Sequence, residues 1–252
     1  MTIPIVVPSY RRAATLARKT LPLLLSRRVP ASGITVVVAS EAEADSYRTA
    51  IADAGLPAVE LVVGVPGMGA VRNWIADHWR GPVLQVDDDL TDLRRMVDPK
   101  TTVPLDDLPT FAEDGFLFAE QAGAGLWGIY PVPNPYFMRN RITVDLRYIE
   151  GGFWGAVLTG APHQQVTLDD KEDYERSLRY YLADGSVVRV DYVTMVTKFY
   201  TEPGGMQEER TEERVTASAH ALADRYPELC RLNLSKKSGH AELRLRDRRG
   251  KK

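Results

Sequence analysis

Three consecutive carboxylates, Asp87-Asp88-Asp89, form the part of the sequence best suited to chemistry. They follow the apolar run 83–86, and neighbouring carboxylates at the end of a buried strand repel one another unless a cation neutralises them. Because side chains alternate along an extended chain, we expect Asp87 and Asp89 to point the same way and to offer oxygen ligands to Mg2+ or Mn2+. The alternative is an acidic turn that caps the next helix, with Asp89 and Asp92 as its first residues.

The elements that position these acids can be read from the pattern of apolar residues. Over the first ninety residues, short β-branched runs alternate with amphipathic stretches, which predicts a parallel sheet covered by helices. The predicted strands are residues 3–7, 34–39, 61–63 and 83–86, and the predicted helices are 13–25, 41–53 and 69–79. Ligands bind such sheets at the carboxyl ends of the strands. The segments 8–10, 40–41, 66–69 and 87–89 are therefore the ones expected to bind a ligand.

The second part of the chain predicts a smaller, mixed β region. We expect helices over 106–121 and 207–226, and strands at 125–130, 142–144, 153–158 and 187–196. Another helix is predicted from Thr167 to about residue 183, because Thr167-Leu168-Asp169-Asp170 resembles a capping box. The last ten residues are expected to form a basic tail. The predicted fold class is α/β, with a central, mostly parallel sheet flanked by helices.

The acidic cluster also fits a different reaction class. Asp87 to Thr91 matches the DxDxT signature of haloacid-dehalogenase-like phosphatases, in which the first Asp is a nucleophile and the second a general acid. In that family the motif follows the first strand, whereas three strand–helix units precede it here. A nucleotide-sugar transferase needs those units, because they bind the nucleoside before a metal binds its diphosphate. A phosphatase using Asp87 and Asp89, and a non-catalytic DNA-binding module, remain the alternatives.

Four segments resemble motifs of the GT-A-fold glycosyltransferases, in the order of that fold. Residues 6–12 (VVPSYRR) are similar to the opening strand and loop that hold the nucleoside base, and 67–73 (GMGAVRN) to a G-x-x-A-R-N segment before the acidic cluster. Residues 171–173 (KED) resemble the xED motif, and 151–155 (GGFWG) the acceptor loop. The resemblance implies a single GT-A, Rossmann-like domain with a nucleotide-binding half (1–90), an acceptor half (91–200) and a C-terminal helix and basic tail (201–252).

The resemblance implies a metal-dependent, inverting transfer of a sugar from a UDP-sugar, with Mn2+ or Mg2+ as the cofactor. In the xED motif the final acid is usually the base, so Asp173, or failing that Glu172, is expected to deprotonate the acceptor hydroxyl. Asp169 and Asp170 compete for that role. The alternative for Glu172 and Asp173 is that they are first-turn acids that complement the helix dipole.

The same resemblance implies the metal ligands and the donor site. Asp87 and Asp89 would share the metal with a C-terminal histidine, for which we favour His240 in a loop over His220 on a charged helix. Arg72 is expected to contact the diphosphate, because a guanidinium matches phosphate geometry; the alternative is an exposed helix arginine. The residues expected to bind the donor nucleotide are Pro8, Ser9, Tyr10, Arg12, Arg72, Asn73, Asp87 and Asp88.

A narrower resemblance concerns the acceptor. The stretch 127–140 and the loop 204–206 are similar to the TET/JBP-associated glycosyltransferases of phages, which implies 5-hydroxymethylcytosine or another hydroxymethylpyrimidine in DNA as the acceptor. Arg139 and Arg141 would suit DNA phosphates. Five aromatic residues near the Pro-rich segment could stack on a sugar or an extruded base, and the alternative is that they are core residues: Trp127, Tyr130, Tyr136, Phe137 and Trp154.

Composition limits the other possibilities. The chain has 252 residues, a formal net charge of -2 and one cysteine, Cys230, which excludes an intrachain disulfide and a multi-cysteine zinc site. No apolar stretch approaches the roughly 18 residues of a membrane helix and no signal peptide is seen, so we expect a cytoplasmic protein without a membrane partner. The net charge is uneven: residues 225–252 carry ten Lys or Arg and three acids, or +7, which leaves -9 for residues 1–224. A basic terminus of this density can contact DNA phosphates or act as a solvated tail.

Overall fold

The computed structural model describes residues 3–197, 204–205, 211–233 and 241–246. Four parallel strands begin the chain: β1 (Ile5–Pro8), β2 (Ile34–Val38), β3 (Glu60–Val63) and β4 (Gly81–Val86). They lie in the order β3-β2-β1-β4, with Ile5 opposite Ile34 on one side and Leu84 on the other. β1 and β2 are buried along their whole length, as expected for parallel strands covered by helices on both faces, whereas β3 at the sheet edge is only partly buried. The predicted parallel half is therefore confirmed.

The helices between these strands follow the predicted pattern with one exception. Helix α3 (Glu41–Asp53) and α4 (Met68–His78) match the prediction within one residue. The expected helix over 13–25 is instead two, α1 (Ala13–Arg18) and α2 (Thr20–Ser26), with Lys19 between them at φ -121 and ψ -81. Pro22 explains the break, because it has no N–H to donate to the carbonyl of Arg18, four residues earlier.

The sheet continues with mixed pairing into the second half of the chain. Its remaining strands are β5 (Asp92–Asp98), β6 (Thr101–Pro104), β7 (Leu126–Tyr130), β8 (Ile142–Asp145), β9 (Phe153–Leu158) and β10 (Val187–Val196). Ten strands join in the order β3-β2-β1-β4-β9-β7-β10-β5-β6, and β8 also pairs with β10. Strand β4 pairs antiparallel with β9, with Val86 opposite Phe153. The β5–β6 hairpin was not predicted, because Asp92–Asp98 has no β-branched run and its adjacent Arg94-Arg95 and Met96-Val97 break the alternation typical of a strand.

Helix α5 (Leu108–Gln121) begins at its Asp107 cap and packs on the sheet over Trp127. Trp127 is fully buried, and Trp154 is 3% exposed. A Cβ on Gly155 would come within 2.2 Å of the Trp127 indole nitrogen, so only glycine fits there. Both tryptophans belong to the core. For these two tryptophans the alternative of core packing holds, and stacking on a sugar or a base is wrong.

Helix α6 (Glu172–Asp184) begins five residues after the predicted start at Thr167. The capping box does not form. Glu175 of the first turn instead accepts hydrogen bonds from the Thr167 and Leu168 backbone N–H groups, at 2.7 and 3.1 Å, and from the Thr167 hydroxyl. Lys171 precedes the helix with φ 60, in the left-handed region. The first helical residues are therefore Glu172 and Asp173, the two candidate bases.

The C-terminal part adds helix α7 (Glu212–Arg225) and a separate hairpin of β11 (Cys230–Asn233) and β12 (Glu242–Leu245). The prediction of a tail over the last ten residues is wrong for 243–245, which pair with β11. The predicted helix over 207–226 is confirmed from residue 212, and 206–210 lie outside the described residues. Within the described ranges, no helix is long and apolar enough to cross a membrane.

Candidate active site

A cavity of about 800 Å³ opens at the carboxyl ends of the four parallel strands. Its walls include the segments that follow β1 and β3, the acidic turn after β4, and the start of α6. Of the described residues that line it, nine are acidic and three are Lys or Arg. The acids are Asp87, Asp88, Asp89, Glu150, Asp169, Glu172, Asp173, Glu212 and Glu242, and the cations are Arg12, Arg72 and Lys171. The cavity is therefore strongly acidic, in the position where this class of sheet binds ligands.

Hydrogen bonds to its backbone hold the turn Asp87–Asp89 against the residues before β9 and against α2. The Asp87 N–H donates to Gly152 O at 2.9 Å, which continues the β4–β9 pairing by one residue. The buried Thr20 hydroxyl donates to Asp87 O at 2.8 Å and accepts from the Leu90 N–H at 3.0 Å. These bonds anchor the backbone at both ends of the turn to the neighbouring strand and to α2.

The three carboxylates have different partners. Asp87 accepts from Arg72 Nη2 at 2.7 Å. Asp88 is buried and accepts from Ser9 Oγ at 2.5 Å and Arg12 Nη1 at 3.1 Å. Asp89 receives Arg12 Nη1 at 3.3 Å and the hydroxyl of Thr197 at 2.9 Å. Burial, together with the neighbouring Asp87 and Asp89 charges, raises the pKa of Asp88 to about 7, against the opposing effects of Arg12 and Ser9. Burial also raises the pKa of Asp87.

The fit to a divalent cation rests on this unbalanced charge. Raised carboxyl pKa values show that the protein's own cations do not offset the cost of ionising the turn. Asp87 and Asp89 side chains remain 32% and 15% exposed, so their oxygens are accessible from the cavity. The described residues contain no preformed group of three or more His, Cys, Asp or Glu side chains around one metal position. His240, the expected third ligand, lies outside the described residues, and His220 is exposed on α7.

Arg72 lies at the back of the cavity, behind the acidic turn, and is almost fully buried. It is 4% exposed, and its guanidinium donates to Gln85 Oε1 at 3.0 Å and Gly151 O at 3.1 Å as well as to Asp87. Its Nε lies 3.6 Å from Glu172 Oε1. The expected direct contact between Arg72 and a diphosphate is not what this geometry favours, because the guanidinium is committed to holding Asp87 and the loop beside it.

Asn73, another expected donor contact, has a structural role here. Its Nδ2 donates to Val166 O at 2.8 Å, and its Oδ1 accepts from the Val166 N–H at 2.7 Å. Both amide atoms are thus used to bind the segment that precedes α6. By contrast Pro8, Ser9, Tyr10 and Arg12 all line the cavity, where they were expected.

The two candidate bases at the start of α6 lie in different environments. Glu172 is 5% exposed and sits between two guanidinium groups, those of Arg72 and of Arg176 at 3.4 Å. Asp173 accepts from the Tyr148 hydroxyl and from the Tyr174 N–H, at 2.5 and 2.9 Å. Burial and the Glu172 charge raise the pKa of Asp173 to about 6. With a pKa near 6, Asp173 can gain and lose a proton close to neutral pH.

The competing acids are engaged elsewhere. Asp169 accepts from the Gly69 N–H at 2.9 Å in the first turn of α4, and lies 3.7 Å from Arg214. Asp170 lies 3.4 Å from the same arginine. A Cβ on Gly69 would come within 2.8 Å of Leu168 O, so this glycine permits the close approach of the two segments. The Gly67–Gly69 motif therefore joins the donor side of the cavity to the segment before α6.

Glu150 and Tyr148 are among the residues of the cavity wall that were not expected from the sequence. Glu150 accepts from the Gly152 N–H at 2.8 Å, and burial with the charges of Asp87 and Asp173 raises its pKa well above the usual range. Tyr148 is the partner of Asp173. Neither carries a motif of its own. Their one sequence signal is position, because they directly precede the Gly151–Gly152 turn into β9, the strand beside the acidic turn.

Comparison with known proteins shows the fold. No protein-family model matches the sequence, and no significant match to a curated protein was found. A mannosyltransferase from Pyrobaculum calidifontis, solved with GDP-mannose and Mn2+, superposes with a TM-score of 0.57 at 15% identity, covering 90% of this chain and 64% of that one. This chain thus spans 64% of the mannosyltransferase's length.

Two further solved structures have the same architecture. A mannosyl-3-phosphoglycerate synthase from Rubrobacter xylanophilus gives a TM-score of 0.51 at 16% identity, covering 97% of this chain and 84% of that one. A mycobacterial protein gives 0.51 at 13%, covering 97% and 83%. The chain has the GT-A fold of these neighbours. A haloacid-dehalogenase-like phosphatase does not fit this result, because its DxDxT motif belongs after the first strand of another fold.

Proposed function

We propose that this protein is a metal-dependent glycosyltransferase that takes a sugar from a nucleoside diphosphate sugar. The observation that carries the proposal is the acidic cavity at the carboxyl ends of the parallel strands, lined by nine carboxylates and three cations. A diphosphate is itself an anion, so it can enter this cavity favourably only together with a compensating cation. A nucleotide sugar also suits a volume of about 800 Å³.

The metal would be held by Asp87 and Asp89, because Asp88 is buried against Ser9 and Arg12. Mg2+ and Mn2+ both accept carboxylate oxygens and complete their shell with water and phosphate oxygens. When bound, the metal supplies Lewis-acid stabilisation of the leaving diphosphate. Arg12 contacts both Asp88 and Asp89, so it would offset part of the negative charge of the turn next to the metal.

Asp173 is the residue best placed to act as the base. It would accept the proton of the acceptor hydroxyl while the new carbon–oxygen bond forms and the sugar–diphosphate bond breaks, a single displacement that inverts the anomeric centre. Glu172 is less suited, since the guanidinium groups of Arg72 and Arg176 lie 3.6 and 3.4 Å from its oxygens and compete with an acceptor for them. Its place is to link Arg72, and through it Asp87, to helix α6.

The donor nucleotide is proposed to be UDP, from the resemblance of residues 6–12 and 67–73 to GT-A motifs. A neighbour of the same fold was solved with GDP-mannose, so guanosine donors belong in the same test. Thermal denaturation with UDP or GDP, each with Mn2+ or with EDTA, addresses donor and metal together. A ligand at a hundred times its Kd stabilises a protein by about 2.7 kcal/mol, which raises Tm by roughly 5–10 °C at this chain length.

Asp89→Ala should abolish the shift that nucleotide and Mn2+ produce together. The outcome that contradicts the proposal is the absence of a Tm shift in the wild-type protein with either nucleotide. A metal-dependent shift that survives in Asp89→Ala would instead refute the assigned ligand. His220→Ala, on the exposed face of α7, is the control expected to leave the shift intact.

For the acceptor, we propose a hydroxymethylpyrimidine in DNA. Support comes from the exposed segment that follows β7, whose first residue, Pro131, lines the cavity. Tyr136 and Phe137 are 69% and 51% exposed and contact each other edge to face, with exposed Arg139 and Arg141 nearby in sequence. Exposed aromatics stack on bases and arginines contact phosphates. Tyr130, a further candidate, has the Arg189 guanidinium over its ring.

The acceptor is tested by incubating the protein with hydroxymethylated or unmodified DNA and a panel of UDP-sugars and GDP-mannose. Digestion to nucleosides and mass spectrometry should show a hexose added only to the hydroxymethylated base. If UDP and Mn2+ bind but no nucleoside gains mass, the DNA acceptor is wrong and the transferase assignment stands. Tyr136→Ala should weaken transfer through the KM for DNA, with donor binding unchanged.

A further inference from the structure

The Tyr148 hydroxyl donates a hydrogen bond to Asp173 Oδ2 at 2.5 Å, across 25 residues of sequence. Tyr148 lies in the segment between β8 and β9, whereas Asp173 is in the first turn of α6. Both residues line the cavity. The contact therefore joins two separate elements at the group that we assign as the base.

Other contacts fix this segment against α6. The Ile149 N–H donates to Ser177 Oγ at 3.0 Å, and the Ser177 hydroxyl donates to Asp173 O at 2.8 Å, with Ile149 and Ser177 both fully buried. The Tyr148 ring also stacks on that of Tyr174, with centroids 4.3 Å apart and planes at 28°. The phenol is thus placed by its backbone on one side and by an aromatic neighbour on the other.

The contact has a defined chemical effect on the carboxylate. An ionised carboxylate only accepts hydrogen bonds, so a donor at Oδ2 stabilises the ionised form and lowers its pKa. Burial and the Glu172 charge raise the pKa of Asp173, whereas Arg176 and the Tyr174 N–H lower it; the Asp173 charge in turn raises the pKa of Glu150. Tyr148 is the only neutral side-chain donor that the described residues place on this carboxylate.

We propose that Tyr148 is a positioning residue for Asp173, holding the carboxylate in one orientation and in its ionised form. The inference rests on the proposed function only in calling Asp173 a base. The coupling between the two side chains is a property of the protein alone. Because a base must be ionised before it can accept a proton, losing this hydroxyl should move the acidic limb of activity to higher pH.

The coupling can be measured without any substrate. In protein labelled with 13C at the aspartate carboxyl carbons, the resonance missing from Asp173→Asn identifies Asp173, and its titration can be followed by NMR. In Tyr148→Phe the pKa of Asp173 should rise by about one unit, a tenfold change in the ionisation constant. Phenylalanine keeps the ring and its stacking. Tyr148→Leu, which also removes the hydroxyl, should give a shift in the same direction.

Tyr174→Phe is the matched control. It removes the hydroxyl of the other ring in the stacked pair, whose contact is Leu243 O at 3.4 Å, and should leave the Asp173 titration unchanged. An unshifted titration in both Tyr148 variants, or an equal shift in Tyr174→Phe, overturns the proposal. If sugar transfer is measurable, Tyr148→Phe should lower kcat on the acidic side with the donor KM unchanged. A shifted titration in a protein whose Tm does not respond to UDP or GDP with Mn2+ leaves the coupling standing and refutes the proposed function instead.

Discussion

Two pairs of neighbouring acids face the same cavity, and the protein treats them differently. At the end of β4, Asp88 and Asp89 share one guanidinium, that of Arg12. At the start of α6, Glu172 lies between two guanidinium groups, while Asp173 accepts from a phenol and a backbone N–H. The first pair is left with excess negative charge, which suits a cation. The second pair separates an acid that is held in ion pairs from one whose pKa is raised to about 6.

Arg72 connects these two regions. It lies between Asp87 and Glu172, so the acidic turn and the first turn of α6 are fixed relative to each other by one buried side chain. Arg176 completes the arrangement from the far side of Glu172, with its guanidinium 3.8 Å above the Trp154 ring. If one region binds the diphosphate and the other the acceptor hydroxyl, Arg72 sets the distance between them.

The largest effect is expected from changing Asp173, the acid of the second pair that we assign as the base. Asp173→Asn removes the proton acceptor with almost no change in volume, so transfer should fall by about 10²- to 10⁴-fold while the Tm shift with UDP and Mn2+ persists. Measuring kcat beside nucleotide binding separates the two. Wild-type rates in this variant would refute the role of base.

Glu172→Gln is the paired experiment. It keeps Asp173 but removes the charge between Arg72 and Arg176, so its main effect should be on stability, seen as a lower midpoint in urea, and its loss of kcat should be smaller than that of Asp173→Asn. A larger loss of kcat in Glu172→Gln than in Asp173→Asn would reverse the assignment of the two acids.

Arg72→Ala should cost about 3–5 kcal/mol of unfolding free energy, because it removes the buried cation that pairs with Asp87 and one of the two that flank Glu172. Urea unfolding at neutral pH measures the change. Arg48→Ala, which removes an exposed ion pair with Asp45, is the matched control and should change stability by less than about 1 kcal/mol. Equal effects in the two variants would mean that Arg72 does not compensate these acids.

The sequence predicted the donor side of this site better than the acceptor side, for physical reasons. The order of β1 to β4 and the acids after β4 follow from local apolar runs and from the rule that strand ends form ligand sites. Ser9 and Arg12 could be predicted with them, because they follow β1 directly. The functions assigned to these residues stay predictions.

The rest depends on contacts between distant segments. Arg72 and Asn73 are adjacent on one helix, yet Arg72 donates to Asp87 and Asn73 binds the backbone of Val166. No local sequence pattern distinguishes these two roles. The start of α6 was misplaced because Glu175 caps the preceding segment instead of Thr167 capping the helix. Tyr148 and Glu150 enter the site only because β9 pairs antiparallel with β4, which requires the sheet order of the second half.

The smallest expected effect is the pH dependence of stability that Asp88 causes in the acidic turn. The pKa of Asp88 is raised to about 7 in the fold, above its usual value near 4, so the folded protein holds a proton that the unfolded chain has lost between these values. Stability from this residue is therefore present at low pH and lost as pH rises towards 7.

Asp88→Asn removes that dependence, so the difference in Tm between variant and wild type should grow in favour of the variant from pH 5 to pH 7.5. Saturating Mn2+ and UDP should shrink this difference, because a bound cation stabilises the ionised turn. A difference in Tm that stays constant across this range would mean that Asp88 does not titrate in it.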